Sequence, residues 1–311
     1  MIIQILILLI VLYLICIYPD TSRKAQMAPY EKRFIAHRGL FNNKDIPENS
    51  LPAFQKAVDN NFGIELDVQL TTDDQLVVFH DASLKRMTGI DKDLIDCSYE
   101  ELQQYRLLDT KETIPLFSEV LKVLKPDTPL VIEIKSEGRS ILTTQRTVAM
   151  MKNYQGLYNM ESFDPKIVRY LRMNEPQIIR GQLSYNYLGN KDSSLSKVLA
   201  FIATYLLLNF LTRPDYIAYD VEGSDNLSFQ IISRLFKGEC VAWTVKSKNS
   251  SKKKSTSISA SSLTLISLTI RIFRFPYSTV QLTLLSYPGH PARYGIPLPE
   301  GRVFYFCWRS V

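Results

Sequence analysis

The sequence predicts an α/β fold in which short strands and helices alternate along one domain. Three observations lead to this prediction. Short runs rich in Val, Ile, Leu and Phe are bounded by turn residues, as buried strands are. Stretches with apolar residues at helical spacing separate most of these runs. Acids and histidines fall at the ends of several runs, which is where the loops of an α/β barrel bring catalytic groups together.

Eight runs are predicted to be strands. They are Arg33–Ala36, Gly63–Leu70, Leu76–Phe79, Leu130–Ile134, Leu157–Phe163, Gln177–Leu183, Tyr216–Tyr219 and Cys240–Val245. Eight strands within about 210 residues are compact for a barrel, but they are within the range of that architecture.

Helical patterns occupy most of the intervals between these strands. Glu48–Asn61 has apolar residues spaced for one buried face, and Asn49 and Ser50 are candidate caps at its start. Similar patterns occupy Phe117–Leu124, Ile141–Met151, Lys166–Met173 and Leu227–Phe236. The segment Ala82–Thr113 is too long for a simple crossover, and we expect it to cover part of the mouth of the site.

Charged residues on two strands suggest a cation site. Side chains two positions apart on a strand face the same way, so Glu65 and Asp67 share a face, as do Glu133 and Lys135. If these faces meet inside a barrel, the three carboxylates repel one another, and burial costs several kcal/mol per unpaired ion. Oxygen ligands without cysteine or histidine at metal spacing favour Mg²⁺ or Ca²⁺ over zinc. In isolation, such an acidic pair is more often solvated.

Two of the three histidines, His37 and His80, end apolar runs, and each stands next to a charged residue. A single histidine at a strand end is more often structural. Two histidines, three acids, Arg38 and Lys135 at the ends of four strands instead supply the acid, the base, the cation ligands and the anion clamp for metal-assisted cleavage of a phosphate ester.

The chain contains, in order, FIAHRGLFNNKDIPENSLPAFQKAVDNNFGIELDVQLTTDDQLVVFHDASLKRMTG, VIEIK, ESFDP and AWTVKSK. With these motifs, residues from about Phe34 to Val245 resemble the glycerophosphodiester phosphodiesterase family. A match in order over some two hundred residues is highly specific. The resemblance implies a (β/α)8 TIM barrel.

The resemblance also implies roles for individual residues. The catalytic pair would be His37 and His80, and the cation ligands would be Glu65, Asp67 and Glu133. Substrate or phosphate contacts would come from Arg38, Asn49, Lys135 and Trp243.

The amino-terminal segment is predicted to be a retained membrane anchor. Ile2–Tyr18 is almost wholly apolar, interrupted only by Gln4, and Arg23 and Lys24 follow it. A secretory signal would have basic residues before the apolar stretch and a small-residue cleavage site after it. We therefore predict a transmembrane helix within an anchor and linker segment, residues 1–25. The positive-inside tendency places the catalytic domain in the cytoplasm.

A second apolar segment, Val198–Leu211, follows the sixth predicted strand. Its fourteen residues are too few to span a bilayer. It is either a buried or capping helix or a hydrophobic lip that contacts the membrane interface.

The basic residues are unevenly distributed. The whole chain has 37 basic and 31 acidic residues and a net charge of +6. Ten of the basic residues but only one acid lie from Cys240 onward, which leaves 27 basic and 30 acidic residues before it. A high pI ordinarily suggests a nucleic acid partner. Because the excess is confined to one end, we expect no such partner.

The carboxy-terminal segment departs from the family pattern. We divide the chain into the anchor, a barrel at residues 30–247 and an aberrant tail at residues 248–311. The tail has no family-like last helix or closing run, and eight serines lie from Ser247 to Ser262. It is either the product of a frameshift or a genuine basic, low-complexity tail.

The predicted function is hydrolysis of a glycerophosphodiester to an alcohol and glycerol phosphate, with one divalent cation, Mg²⁺ or Ca²⁺. His37 is favoured as the base and His80 as the acid, and the attacking oxygen is either water or a hydroxyl of the substrate. The alternative is a membrane-anchored remnant or scaffold that lost activity with the end of its barrel.

Overall fold

The computed structural model describes residues 1–30, 34–190, 193–245 and 303–307. It contains one sheet of nine strands. The strands are β1 (Ile35–His37), β2 (Gly63–Leu70), β3 (Leu76–Val78), β4 (Leu130–Ile134), β5 (Tyr158–Ser162), β6 (Arg180–Ser184), β7 (Tyr216–Asp220), β8 (Glu239–Val245) and β9 (Val303–Cys307).

Eleven α-helices lie in the described residues. They are α1 (Ile2–Ile17), α2 (Lys24–Met27), α3 (Leu51–Asp59), α4 (Lys85–Thr88), α5 (Tyr99–Leu102), α6 (Phe117–Val123), α7 (Ser140–Met151), α8 (Pro165–Asn174), α9 (Lys197–Thr204), α10 (Asn209–Thr212) and α11 (Leu227–Arg234). The Ser50 side chain caps α3 by accepting a hydrogen bond from the amide of Ala53, as the sequence predicts.

The sheet curls into a TIM-barrel-like architecture. Strands β1, β2 and β4 to β8 pair in parallel in chain order, apart from β3. The last strand, β9, pairs antiparallel with both β8 and β1. It lies in the segment predicted to be an aberrant tail. The other residues from 246 onward lie outside the described residues, so the two interpretations of the tail stay predictions.

The assignment of Leu76–Phe79 to a barrel strand is wrong. Strand β3 pairs antiparallel with β2, with Val78 opposite Val68, and is an appendage to the barrel. The cause is the short connection, in which the amide of Thr71 donates to the carbonyl of Gln75. A connection this short can join only antiparallel strands, because a parallel crossover needs about a dozen residues or more.

The segment Ala82–Thr113 forms a lobe with a small core of its own. Leu84, Met87 and Leu94 are fully buried there, and they pack with Phe79 at the end of the β2–β3 hairpin. The lobe reaches back to the barrel through Arg86, which binds Glu48. It therefore covers one side of the site.

The predicted transmembrane helix corresponds to α1. Within the parts of the chain that the structure describes, no helix combines the length and apolarity needed to cross a bilayer, and α1 has 16 residues.

The apolar segment Val198–Leu211 is also not one helix. It is divided between α9 and α10, and Leu206 between them has a positive φ of 57°. Its side chain is buried against the fully buried Ile217 and Tyr219 of β7. Val198, Leu199 and Phe201 on α9 are exposed. The segment thus has a packed end and an exposed end.

Candidate active site

The first strand ends in a strained turn that carries His37 and Arg38. His37 is paired with Glu65 of β2, and its Nε2 lies 3.9 Å from Glu65 Oε2. The two residues that follow have positive φ, 57° at Arg38 and 79° at Gly39. Such conformations outside glycine cost energy and are concentrated at functional sites. This turn allows the amide of Arg38 to donate to Glu65 Oε2 at 2.9 Å.

Three buried carboxylates form the centre of the site. Each of Glu65, Asp67 and Glu133 offers one oxygen, and these oxygens lie within 4.8 Å of one another. The strand register explains the arrangement, because Asp67 of β2 lies opposite Glu133 of β4, and Glu65 is two positions earlier on the same face. Glu65 Oε1 and Asp67 Oδ1 accept no hydrogen bond in the described part of the chain.

The electrostatics of the three acids are unequal. Burial, together with repulsion from Asp67 and Glu133, raises the pKa of Glu65 well above its ordinary value. Burial also acts on Asp67, but the charges of His80, Lys135 and Arg38 outweigh it and lower the pKa of that carboxyl. Burial raises the pKa of Glu133, against the attraction of Lys135. Glu65 and Glu133 therefore keep their protons to higher pH than a free glutamate does.

Lys135 lies directly beside the acids. Its Nζ is 2.8 Å from Glu133 Oε1 and 3.6 Å from Asp67 Oδ1. Burial would lower the pKa of Lys135, but these two carboxylates raise it, so the ammonium stays charged. Lys135 is therefore a fixed cation at the edge of the acidic cluster.

Asn49 supports one of the acids. Its Nδ2 donates to Asp67 Oδ2 at 2.8 Å, and its amide donates to the carbonyl of Arg38. Asn49 has a φ of 56°, which asparagine tolerates better than most residues. Asn49 therefore contacts the acidic cluster directly and helps to orient Asp67.

A chain of ion pairs runs from Arg38, the residue after His37, to His80. Arg38 Nη1 donates to Glu48 Oε1 at 2.6 Å, and Arg86 Nη2 donates to the same oxygen at 2.7 Å. Arg86 Nε also donates to Asp81 Oδ2 at 2.6 Å. Asp81 Oδ1 in turn lies 2.6 Å from His80 Nδ1.

The two acids of this chain stay ionised. Burial acts to raise the pKa of Glu48, but hydrogen bonds from Arg86 and Asn43 and the charge of Arg38 lower it to about 2. Burial acts likewise on Asp81, but His80 and Arg86 lower the pKa of that carboxyl. Sequence reasoning assigned no role to Glu48 or Arg86, and it noted Asp81 only as the charged neighbour of His80.

Aromatic rings lie on the strands farther around the barrel. The ring of Trp243, on β8, lies edge-on to Phe163 with centroids 5.5 Å apart. Phe163 also meets Tyr185, which stacks on Tyr187 at 3.8 Å. Phe163 directly follows β5, and the two tyrosines lie within three residues of the end of β6, so these rings lie on the carboxyl-end side of the barrel.

Glu161 is a further buried acid that the sequence analysis did not single out. It lies opposite Glu133 in the register of β5 with β4, and the hydroxyl of Tyr216 hydrogen-bonds its Oε2 at 2.7 Å. Burial and the charges of Glu133 and Asp67 raise the pKa of Glu161 to about 8, against the Tyr216 bond. Glu161 is therefore protonated at neutral pH. Its position in ESFDP, two residues before the loop, was the only signal.

The sequence of the chain matches the model of the glycerophosphoryl diester phosphodiesterase family over residues 37–254. This match covers more than half of the chain and includes every site residue described above. The chain belongs to the glycerophosphoryl diester phosphodiesterase family.

Curated relatives in this family come from animals and bacteria. The chain is 32% identical to lysophospholipase D GDPD1 of Rattus norvegicus over 160 residues, which are 47% of this chain and 49% of that protein. It is 38% identical to a glycerophosphodiester phosphodiesterase of Bacillus altitudinis over 110 residues, 33% of this chain and 44% of that protein. The matched region thus spans about half the length of these relatives.

Solved structures support the fold. A glycerophosphodiester phosphodiesterase from Parabacteroides distasonis superposes with a TM-score of 0.54 at 23% identity, covering 70% of this chain and 86% of that chain. A phosphodiesterase from Oleispira antarctica, solved in complex with the product sn-glycerol-3-phosphate, superposes with a TM-score of 0.54 at 24% identity, covering 68% and 84%. Both share the TIM-barrel-like fold.

Proposed function

We propose that this protein hydrolyses glycerophosphodiesters to an alcohol and glycerol phosphate, in a reaction that requires one divalent cation. The observation that carries this proposal is the convergence of three buried carboxylates, two histidines and two fixed cations at one end of the sheet. Membership of the family supports the same reaction.

The acidic cluster fits a hard divalent cation. Its donors are all carboxylate oxygens, which Mg²⁺ and Ca²⁺ prefer. Two of these oxygens are buried without a hydrogen bond in the described residues, and burial together with the neighbouring negative charges raises the pKa of Glu65. A cation held by Glu65, Asp67 and Glu133 would neutralise the charge that develops on the phosphate. The chelator experiment described below also compares Mg²⁺ with Ca²⁺.

The basic side chains beside the cluster would bind the phosphate. Lys135 stays charged next to Glu133, and the Arg38 guanidinium is held between Glu48 and Asp67. Donors fixed in advance stabilise a charged transition state without reorganising during the reaction. Trp243 and the rings near it would contact the alcohol part of the substrate.

The two histidines would exchange protons with the substrate. In our assignment His37 removes the proton from the attacking oxygen, and His80 protonates the departing alkoxide. The Asp81 contact at Nδ1 leaves Nε2 of His80 available for this transfer. The attacking oxygen is either water or a hydroxyl of the substrate.

The experiment compares Glu133→Gln with Glu161→Gln in the full chain, with glycerophosphocholine as the substrate. Both changes remove a buried carboxyl on adjacent strands, but Glu161 is already neutral near pH 7. We expect Glu133→Gln to lose at least about 100-fold in turnover, the scale of a missing transition-state contact. We expect Glu161→Gln to keep most of the rate.

Three further arms complete this experiment. A chelator should abolish turnover, and added Mg²⁺ or Ca²⁺ should restore it. Lysophosphatidylcholine as a second substrate separates the two reactions after which the relatives are named. Chelator-resistant activity would overturn the cation proposal, and a folded, cation-loaded chain without turnover would favour the scaffold alternative.

A further inference from the structure

The amino-terminal helix α1 presents apolar side chains in every direction. The large apolar residues from Ile2 to Leu12 are each between 44% and 73% exposed. No charged residue precedes Asp20. A helix that is apolar all round is normally surrounded by protein or by lipid, and here neither surrounds it in the described structure.

The packed end of α1 fixes its direction relative to the barrel. The hydroxyl of Tyr13 hydrogen-bonds Ser228 at 2.7 Å, and Ser228 lies at the start of α11, next to the carboxyl ends of the strands. Three residues after the carboxyl end of α1, the amide of Asp20 donates to the carbonyl of Pro214, just before β7 begins. The helix therefore runs down the side of the barrel from the catalytic end.

The exposed part of α1 consequently extends beyond the catalytic end. Twelve residues precede Tyr13, and at about 1.5 Å per residue they project about 18 Å past the level of Ser228. One leaflet of a bilayer has an apolar depth of about 15 Å, which is half of the hydrocarbon core. The projecting length therefore matches the depth of one leaflet.

A second exposed apolar surface lies on the same side of the barrel. Helix α9 follows β6, and Ser184 at the carboxyl end of β6 donates to the carbonyl of Ala203. Val198, Leu199 and Phe201 on α9 are 69%, 51% and 48% exposed. The chain after α9 packs against α1, because Leu206 and Leu207 belong to the same apolar cluster as Tyr13 and Leu14.

We propose that α1 residues 2–12 and the exposed face of α9 form one lipid-docking surface that holds the catalytic end of the barrel against a bilayer. A protein groove would cover one side of α1, whereas lipid chains cover all of its sides. Neither helix contains an acidic residue, and Lys197 at the start of α9 is exposed and suits anionic head groups. The bilayer is therefore the occupant that fits both the shape and the charge.

The test is flotation of the full chain with vesicles of four parts phosphatidylcholine and one part phosphatidylserine. The variants are Leu6→Asp with Leu9→Asp on α1, and Val198→Asp with Phe201→Asp on α9. The matched control is Leu235→Asp, because Leu235 is 62% exposed at the opposite end of α11. All these positions are exposed, so the variants should fold, and circular dichroism checks this.

We expect wild type and the Leu235→Asp control to float with the vesicles. The α1 variant should lose at least tenfold in the vesicle-bound fraction, and the α9 variant should lose severalfold. Equal flotation of all four proteins would overturn the proposal. So would an oligomer of the wild type that persists with vesicles present and is dispersed by the α1 changes, because the occupant would then be a second copy.

The orientation of the site towards lipid rests on the proposed function, and a second measurement tests it separately. None of the changed residues contacts the acidic cluster or the histidines, so turnover of soluble glycerophosphocholine should stay unchanged in every variant. Turnover of lysophosphatidylcholine in vesicles should fall with the bound fraction. If no variant and no wild type hydrolyses either substrate, the proposed function fails, while flotation still decides the docking surface.

Discussion

Asp81 gives the sharpest test of how the site prepares its histidines. Its Oδ1 lies 2.6 Å from His80 Nδ1, and its Oδ2 accepts from Arg86 Nε. The change Asp81→Asn keeps the size of the side chain and removes its charge. An imidazolium that forms at His80 during the reaction would then lose its adjacent counter-charge.

The size of the effect follows from the type of hydrogen bond. A hydrogen bond to a charged group contributes about 1.5–3 kcal/mol. At about 1.36 kcal/mol per tenfold in rate, this is about 10- to 150-fold in kcat. The Asp81 side chain is 22% exposed, so solvent screens part of the interaction. We therefore expect a loss of about 10- to 30-fold, at the lower end of the range for residues that orient a catalytic group.

The assay is steady-state turnover of glycerophosphocholine with the cation saturating. Asp81→Asn should lower kcat and leave KM and cation affinity nearly unchanged, because Asp81 is absent from the acidic cluster. The matched control is Asp91→Asn, a change in the same lobe at a carboxylate that is 78% exposed and pairs only with Lys85 among the described contacts. Asp91→Asn should leave kcat unchanged. Wild-type kcat in Asp81→Asn, or a change confined to KM or cation affinity, would refute the reasoning.

Three further outcomes are expected. Burial raises the pKa of Glu161 to about 8 from an ordinary 4.5, so the folded state holds a proton that the unfolded state releases, and wild-type stability falls as the pH rises between these values. The free energy of unfolding of Glu161→Gln, relative to that of wild type, should therefore rise by a few kcal/mol between pH 5 and pH 8, as measured by urea unfolding with chelator present. If the difference between the two proteins is the same at every pH, this prediction is contradicted. Gly39→Ala should cost more stability than Gly89→Ala, because both have φ near 80° but only at Gly39 would a Cβ come within 2.8 Å of the α3 backbone; equal losses in thermal unfolding would show that the close approach is harmless. Asn49→Ala should weaken cation affinity about 10- to 100-fold through the lost contact with Asp67, as measured by calorimetric titration; unchanged affinity would show that Asp67 is oriented without it.

The strand-end acids were predictable because the two-residue period of a strand is visible in the sequence. Glu65 and Asp67 alternate with Leu66, and the apolar run of β4 leads directly to Glu133. The sequence pattern does not show that β2 pairs with β4, so this parallel pairing followed only from the predicted barrel fold. The structure places these acids together as the pattern indicates.

Long-range pairing was not predictable in the same way. Arg86 lies 38 residues from Glu48, and no local pattern identifies it as a partner of that acid. Glu161 gives no periodic signal either, because its significance depends on its burial beside Glu133. The exact length of the amino-terminal helix was not predictable either, because the apolar run Ile2–Tyr18 does not show where its helical backbone ends, which the structure places at Ile17.

The hairpin that the sequence analysis mistook for a barrel strand explains how two histidines reach one cluster. Strand β4 pairs with one edge of β2 at both Glu65 and Val68. Glu65 also pairs with β1, and Val68 also pairs with β3. Strands β1 and β3 therefore both lie on the other edge of β2. Strand β1 rises along this edge and ends at His37 opposite Glu65. Strand β3 descends along it, and the amide of Phe79 donates to the carbonyl of Asp67.

His80 therefore follows directly at the level of Asp67, and the two histidines approach the acids from opposite directions along one strand edge. The ion pairs from Arg38 through Glu48 and Arg86 to Asp81 then stabilise the spacing between the two histidines that the hairpin sets. The acid and base positions thus depend on the antiparallel β2–β3 turn as much as on the histidines themselves.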